Sequence, residues 1–78
     1  MSFKLAFSED ICDARLNRAY TQQFVADVAR LSLREYQNVE AGRAIPKTES
    51  FLFLVYLFDL NINNYREVLG FANPLPSR

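Results

Sequence analysis

The sequence predicts an all-α protein built from five short helices around one core. Three observations carry that prediction. Apolar residues recur at helical spacing between Ser, Thr and Asn residues suited to helix starts, the connections left over are short, and only two Gly and three Pro interrupt 78 residues. A chain of this length buries roughly 60–65% of its unfolded surface, so it supports a single domain, expected over 1–78, with a helical core at 8–70 and irregular or extended tails at 1–7 and 71–78.

Phe3, Leu5 and Phe7 alternate with Ser2, Lys4 and Ala6, a period of two that predicts a short extended segment ahead of the helices. Ser8, followed by Glu9 and Asp10, predicts the first helix start: a hydroxyl that accepts a backbone N–H, then acids at the positive end of the helix dipole. That helix runs to Arg18 or Ala19. Thr21 caps a second helix through Ala29, which at about two turns needs its neighbours to persist. Ser32-Leu33-Arg34-Glu35 has capping-box spacing and opens a third helix, which ends at Glu40 or Ala41 because Gly42 adopts the left-handed conformation without a Cβ penalty. A loop at 43–47 contains Pro46. The apolar run at 51–58 suits a buried strand by composition. Thr48 and Glu49 as a start, Asp59 and Leu60 as a last turn and Asn61 as a left-handed terminator favour a fourth helix instead. Asn63 then caps a fifth helix through Tyr65 to Leu69, closed by Gly70, and Pro74 and Pro76 make the tail irregular.

Composition narrows the function. With no His and one Cys, the chain assembles neither a His general base nor a zinc site of Cys and His, so an enzyme, a metal and a cofactor are not expected. Cys12 has no partner for an intramolecular disulfide and reads as a boundary residue more readily than as a redox sensor. The longest apolar run falls far short of the ~20 residues that cross a bilayer, and the N-terminus lacks an export signal; the expectation is a soluble, cytoplasmic protein with no membrane partner. Nine basic residues balance nine acidic ones. The distribution is uneven: residues 15–47 carry Arg15, Arg18, Arg30, Arg34, Arg43 and Lys47 against Asp27, Glu35 and Glu40.

The second and third helices are separated by Arg30, Leu31 and Ser32, which is helix-turn-helix spacing. On the second, Val25, Ala26 and Ala29 share a face where small side chains permit close approach. On the third, Tyr36 and Val39 turn inward and Leu33, Arg34, Gln37 and Asn38 turn outward. Arg matches guanine through a bidentate fork, Gln and Asn match adenine, and Leu touches a thymine methyl. The same residues also suit an ordinary solvated helix face. Glu35 is explained by its cap before any role in accepting from cytosine.

Taken together, Ile11-x-x-Ala14-Arg15, Thr21-Gln22-x-x-Val25-Ala26, Leu31-Ser32, Val39-Glu40-x-Gly42-Arg43 and Pro46 resemble the lambda-repressor/Cro family of DNA-binding regulators, also called the Xre family, over residues 11–69. The resemblance implies a lambda-repressor-like fold, with Gln22 and Arg43 at phosphates, Ser32 at the backbone entry of the recognition helix, and Leu33, Arg34, Gln37 and Asn38 over base edges. It implies an Arg15–Glu40 pair and a homodimer on palindromic double-stranded DNA, acting by operator occupancy as a transcriptional regulator. No residues remain for a small-molecule effector domain. Three features depart from the pattern. Arg30 stands at the usual turn glycine, Tyr36 stands where a branched aliphatic packs, and Phe24 with Val28 makes apolar a face usually polar, implying a contact to residues 3–7 or to another subunit. These departures and the zero net charge motivate the alternative of a protein-interaction module, antirepressor-like or antitoxin-like. The aromatics Phe51, Phe53, Tyr56, Phe58, Tyr65 and Phe71 add an interface as a possible role beside core packing.

Overall fold

Ser2, rather than Ser8, opens the first helix. In the computed structural model, which describes residues 2–70, α1 spans Phe3–Asn17 and the Ser2 hydroxyl accepts the Leu5 N–H. The expected extended segment is therefore helical. Phe3, Phe7 and Ile11 satisfy a period of two and a period of about four alike, but the polar Glu9 between the last two breaks the alternation. Leu5, which a strand would place with them, is 47% exposed. Ser8 is buried mid-helix and donates its hydroxyl to the Leu5 carbonyl at 2.9 Å, a back-bond that needs no cap.

Three more α-helices follow: α2 at Gln22–Val28, α3 at Leu33–Glu40 and α4 at Thr48–Phe58. Thr21 caps α2 by accepting from Phe24 N–H. Ser32 and Glu35 form a complete capping box on α3, with the Ser32 N–H at 2.8 Å from the Glu35 carboxylate and the Glu35 N–H at 3.0 Å from the Ser32 hydroxyl. The 51–58 run is helical, burying Leu54 and Phe58 and exposing Leu52 and Tyr56. The expected fifth α-helix is replaced by a 3-10 turn at Ile62–Tyr65, capped by the Asn61 side chain instead of Asn63, with turns through Gly70. No strand occurs among the described residues, and none of their helices is long and apolar enough to cross a membrane. The tail at 71–78, including Phe71, lies outside the described residues.

All four α-helices end in the same way. After each, one N–H reaches back five residues and the preceding one reaches back three: Tyr20 to Arg15 and Ala19 to Leu16, Leu31 to Ala26 and Arg30 to Asp27, Arg43 to Asn38 and Gly42 to Val39, Leu60 to Val55 and Asp59 to Tyr56. The residue held left-handed is Ala19, Arg30, Gly42 and Asp59 in turn. Asp59 thus takes the terminating role expected of Asn61. Only α3 uses glycine, and there a Cβ would sit 2.9 Å from Leu5 Cδ2 and 3.2 Å from Ser8 Oγ. The left-handed conformation at φ +76° favours Gly42, and a Cβ there would also have to displace the Leu5 side chain of α1.

α1 and α2 each pack on both α3 and α4, and α2 packs on α3. Ile11, Val25, Ala26, Tyr36 and Leu54 are fully enclosed at the centre. A second cluster joins α1 to the segment around Tyr65: the Phe3 and Phe7 rings lie 5.2–6.0 Å from those of Phe51 and Tyr65, and the Tyr65 hydroxyl donates to Asp10 at 2.6 Å. Of the two contacts considered for Phe24, the one to residues 3–7 is not made. Phe24 is 45% exposed and rests on Tyr20 at 4.8 Å, while Val28 is half-buried.

Candidate functional site

The turn between α2 and α3 brings two short helices together through small side chains. Ala26 on α2 and Ala29 just after it are fully buried, as is the Tyr36 ring beneath α3. Arg30 takes φ +59° in the turn, a left-handed conformation that costs a residue with a Cβ about 1–2 kcal/mol. Its guanidinium lies 5.0 Å from the Phe53 ring centre and 3.7 Å from Glu49, both on α4, contacts a glycine would lack.

The outward face of α3 carries Leu33, Arg34 and Gln37 exposed and Asn38 half-buried, with Tyr36 and Val39 buried behind them. Asn38 also lines a groove of about 190 Å³ with Glu35, Val39, Ile45, Pro46 and Lys47, where the loop after α3 folds back. Arg34, Arg43 and Lys47 make no ion pair among the described residues, whereas Arg15 and Arg30 are paired. Three of the cations that lack an ion pair thus lie on α3 and in the loop after it. Ser32 accepts the Glu35 N–H through its hydroxyl oxygen. Glu35 is committed to the cap. The Ser32 backbone N–H and then its hydroxyl hold the Glu35 carboxyl below the usual range.

Behind this face lies the Arg15–Glu40 pair. Arg15 Nε and Nη2 each reach one carboxylate oxygen at 2.8 Å, and Nη1 donates to the Tyr20 carbonyl at 3.0 Å. The two side chains are only 14% and 7% exposed. Burial pushes the Glu40 carboxyl up, but Arg15, Tyr36 and Gln22 more than offset it, leaving the group below its ordinary value. The Arg15 guanidinium is correspondingly raised by its bonds to Glu40. The Tyr36 hydroxyl is buried beside this carboxylate without a well-formed hydrogen bond, and burial followed by Glu40 drives its pKa far above the usual phenol range.

Gln22 connects the pair to the surface. Its Nε2 donates to Glu40 Oε1 at 3.2 Å, and its Oε1 accepts from Gln37 Nε2 at 3.1 Å. Gln22 and Gln37 are fifteen positions apart in the chain, so periodicity within one helix gives no hint of this link; only the packing of α2 on α3 brings it about. Gln22 has one N–H left for an outside acceptor. Cys12, a half-buried free thiol, sits on the other side of Glu40, and burial, then Glu40, pushes it up, keeping it protonated at neutral pH.

No family model, curated protein or solved structure matches the chain.

Proposed function

We propose that the chain is a sequence-specific DNA-binding regulator of the lambda-repressor/Cro type, with α2 and α3 acting as a helix-turn-helix and α3 entering the major groove. The observation that carries this reading is the outward face of α3: Leu33, Arg34, Gln37 and Asn38 stand over a buried Tyr36 and Val39, and Arg34, Arg43 and Lys47, which make no ion pair among the described residues, lie on and after the same helix. Those four residues supply base contacts, and Arg43, Ser32 and the remaining N–H of Gln22 supply phosphate contacts. Binding by one copy makes few phosphate contacts, so the acting species is a two-fold dimer on a palindrome with half-sites about 34 Å apart. Its seam is assigned to the 3-10 turn and the aromatic C-terminal part. The protein acts by occupancy of its site, without catalysis and without a cofactor.

A protein-interaction module is the second reading. It is favoured by the apolar side of α4, where Leu52 and Tyr56 are exposed and the latter is 87% accessible. Selection of sites from random double-stranded DNA at fixed, stated salt separates the two. The first reading expects one enriched, palindromic sequence, and recovery of no preferred sequence would refute it.

A further inference from the structure

Helix α4 carries part of its polarity inside out. It buries Ser50 together with Leu54 and Phe58, while Leu52 is 58% and Tyr56 87% exposed. Leu52 and Tyr56 thus add little to the core, and with the half-buried Phe53 and the exposed Glu49 they line one shallow hollow of about 360 Å³. The four positions stand at i, i+3, i+4 and i+7, so they form a single stripe along two turns of the helix. Arg30 closes its flank, with the guanidinium 5.0 Å from the Phe53 ring centre and 3.7 Å from Glu49. Turned end for end, the stripe matches itself: Glu49 changes places with Tyr56, and Leu52 with Phe53.

We propose that this stripe docks on the same stripe of a second copy of the chain, with the two α4 helices antiparallel about a two-fold axis. A two-fold interface uses one patch twice and must be self-complementary. Antiparallel pairing sets Leu52 against Phe53 of the second copy at the centre, and brings each Tyr56 hydroxyl to Glu49 of the other copy, to which it donates. The two Glu49 carboxylates stay about 10 Å apart along the axis, seven residues at about 1.5 Å each, and each keeps the Arg30 of its own copy. Parallel pairing would set the two carboxylates together. The seam is small. A stable interface takes about 800 Å² per partner, and four side chains on a helix roughly 16 Å long give less. Copies therefore pair here weakly in free solution and firmly once another contact holds them close. The stripe shares no residue with the 3-10 turn to which the seam of the DNA-bound pair is assigned, which leaves both available to one chain and joins one pair to the next.

The test is disulfide trapping in the full chain carrying Cys12→Ser, with Glu49→Cys and Tyr56→Cys made separately and oxidised alone or mixed. The mixture should yield a covalent dimer, because antiparallel pairing brings position 49 of one copy against position 56 of the other and keeps the native Glu49–Tyr56 contact at the far end. Either variant alone should yield none, since its two thiols lie about 10 Å apart, beyond the roughly 7 Å that a disulfide spans. Leu52→Glu added to both variants should abolish the mixed product, with the fold unchanged by circular dichroism. Trapping of either variant alone as efficiently as the mixture means parallel pairing or random encounter and overturns the proposal, as does a mixed product that survives Leu52→Glu. No product in any sample, at the highest soluble concentration, also overturns it and gives the face to a partner of different sequence. DNA is absent throughout, so each of these outcomes leaves the DNA-binding reading standing.

Discussion

At Glu40, desolvation and ion pairing act in opposite directions, and pairing wins. Because the folded-state pKa is depressed below the ordinary value near 4.5, the stabilisation is complete above that pH and is lost as the pH falls through the lower, folded value. Melting curves from pH 7 down into the acid range should show a steep loss that Glu40→Gln lacks. At neutral pH Glu40→Gln should itself be destabilising, because it leaves the mostly buried Arg15 cation with a neutral partner; complete removal in Glu40→Ala should cost roughly 3 kcal/mol or more. On the surface the two arginines are expected to separate in kind. Arg34→Ala should relax preference at one base pair, at a cost of roughly 1–3 kcal/mol on the specific site, while Arg43→Ala should weaken all sequences alike and flatten the dependence on salt. Binding isotherms on specific and random duplexes at several salt concentrations distinguish them, and equal losses on both DNAs for Arg34→Ala would contradict its role. Ser50 offers a different kind of change: its hydroxyl is fully buried in α4 without a partner among the described residues. Ser50→Ala is expected to be neutral or stabilising by up to about 1 kcal/mol, since it removes an unsatisfied group and improves helix propensity.

Three of the four α-helices end on a left-handed residue that carries a Cβ, and each end is independent of the others. Ala19 is exposed. Ala19→Gly is therefore expected to stabilise the protein by about 1 kcal/mol. Arg30→Gly gains the same relief but forfeits the Phe53 and Glu49 contacts, so it should gain less. Denaturant midpoints for the two variants measure the difference, and a larger gain for Arg30→Gly would mean those contacts contribute nothing. The elements also divide by how readily the sequence declares them. Thr21, the Ser32/Glu35 box and Gly42 mark their helix ends directly, because the interactions that cap a helix lie within a few residues of one another. Phe3 to Phe7 is too short to tell a period of two from a helical one, and the exposure of Leu5, a tertiary fact, decides it. Asp59 preempts Asn61 because helix α4 ends with its apolar run at Phe58 and Asp59 itself takes the left-handed conformation. The face of α3 is legible from spacing alone. The Gln22–Gln37 link is not, since it depends on how two helices cross.

Across the whole molecule, Tyr65 ties the end of the described chain to its start through Phe3, Phe7 and Asp10. Burial, then Asp10, raises its phenol well above the usual range, so this contribution is full below pH 10 and is lost as the pH rises through the elevated folded value. Alkaline melts should show a decline, shared with Tyr36, that becomes shallower in Tyr65→Phe; the same variant should lose about 1–2 kcal/mol at neutral pH with its hydrogen bond to a carboxylate. Unaltered alkaline behaviour would mean that the phenol titrates freely. The link is made across 55 positions of sequence, whereas α2 and α3 meet through neighbouring segments. Just ahead of Tyr65, residues 61–64 are all exposed. A protease that cuts there leaves the Tyr65 segment held to α1 by non-covalent contacts alone, with α2 and α3 still intact. The lifetime of the protein among proteases is then set by how often the Tyr65 end lifts away, a local opening well below the free energy of complete unfolding.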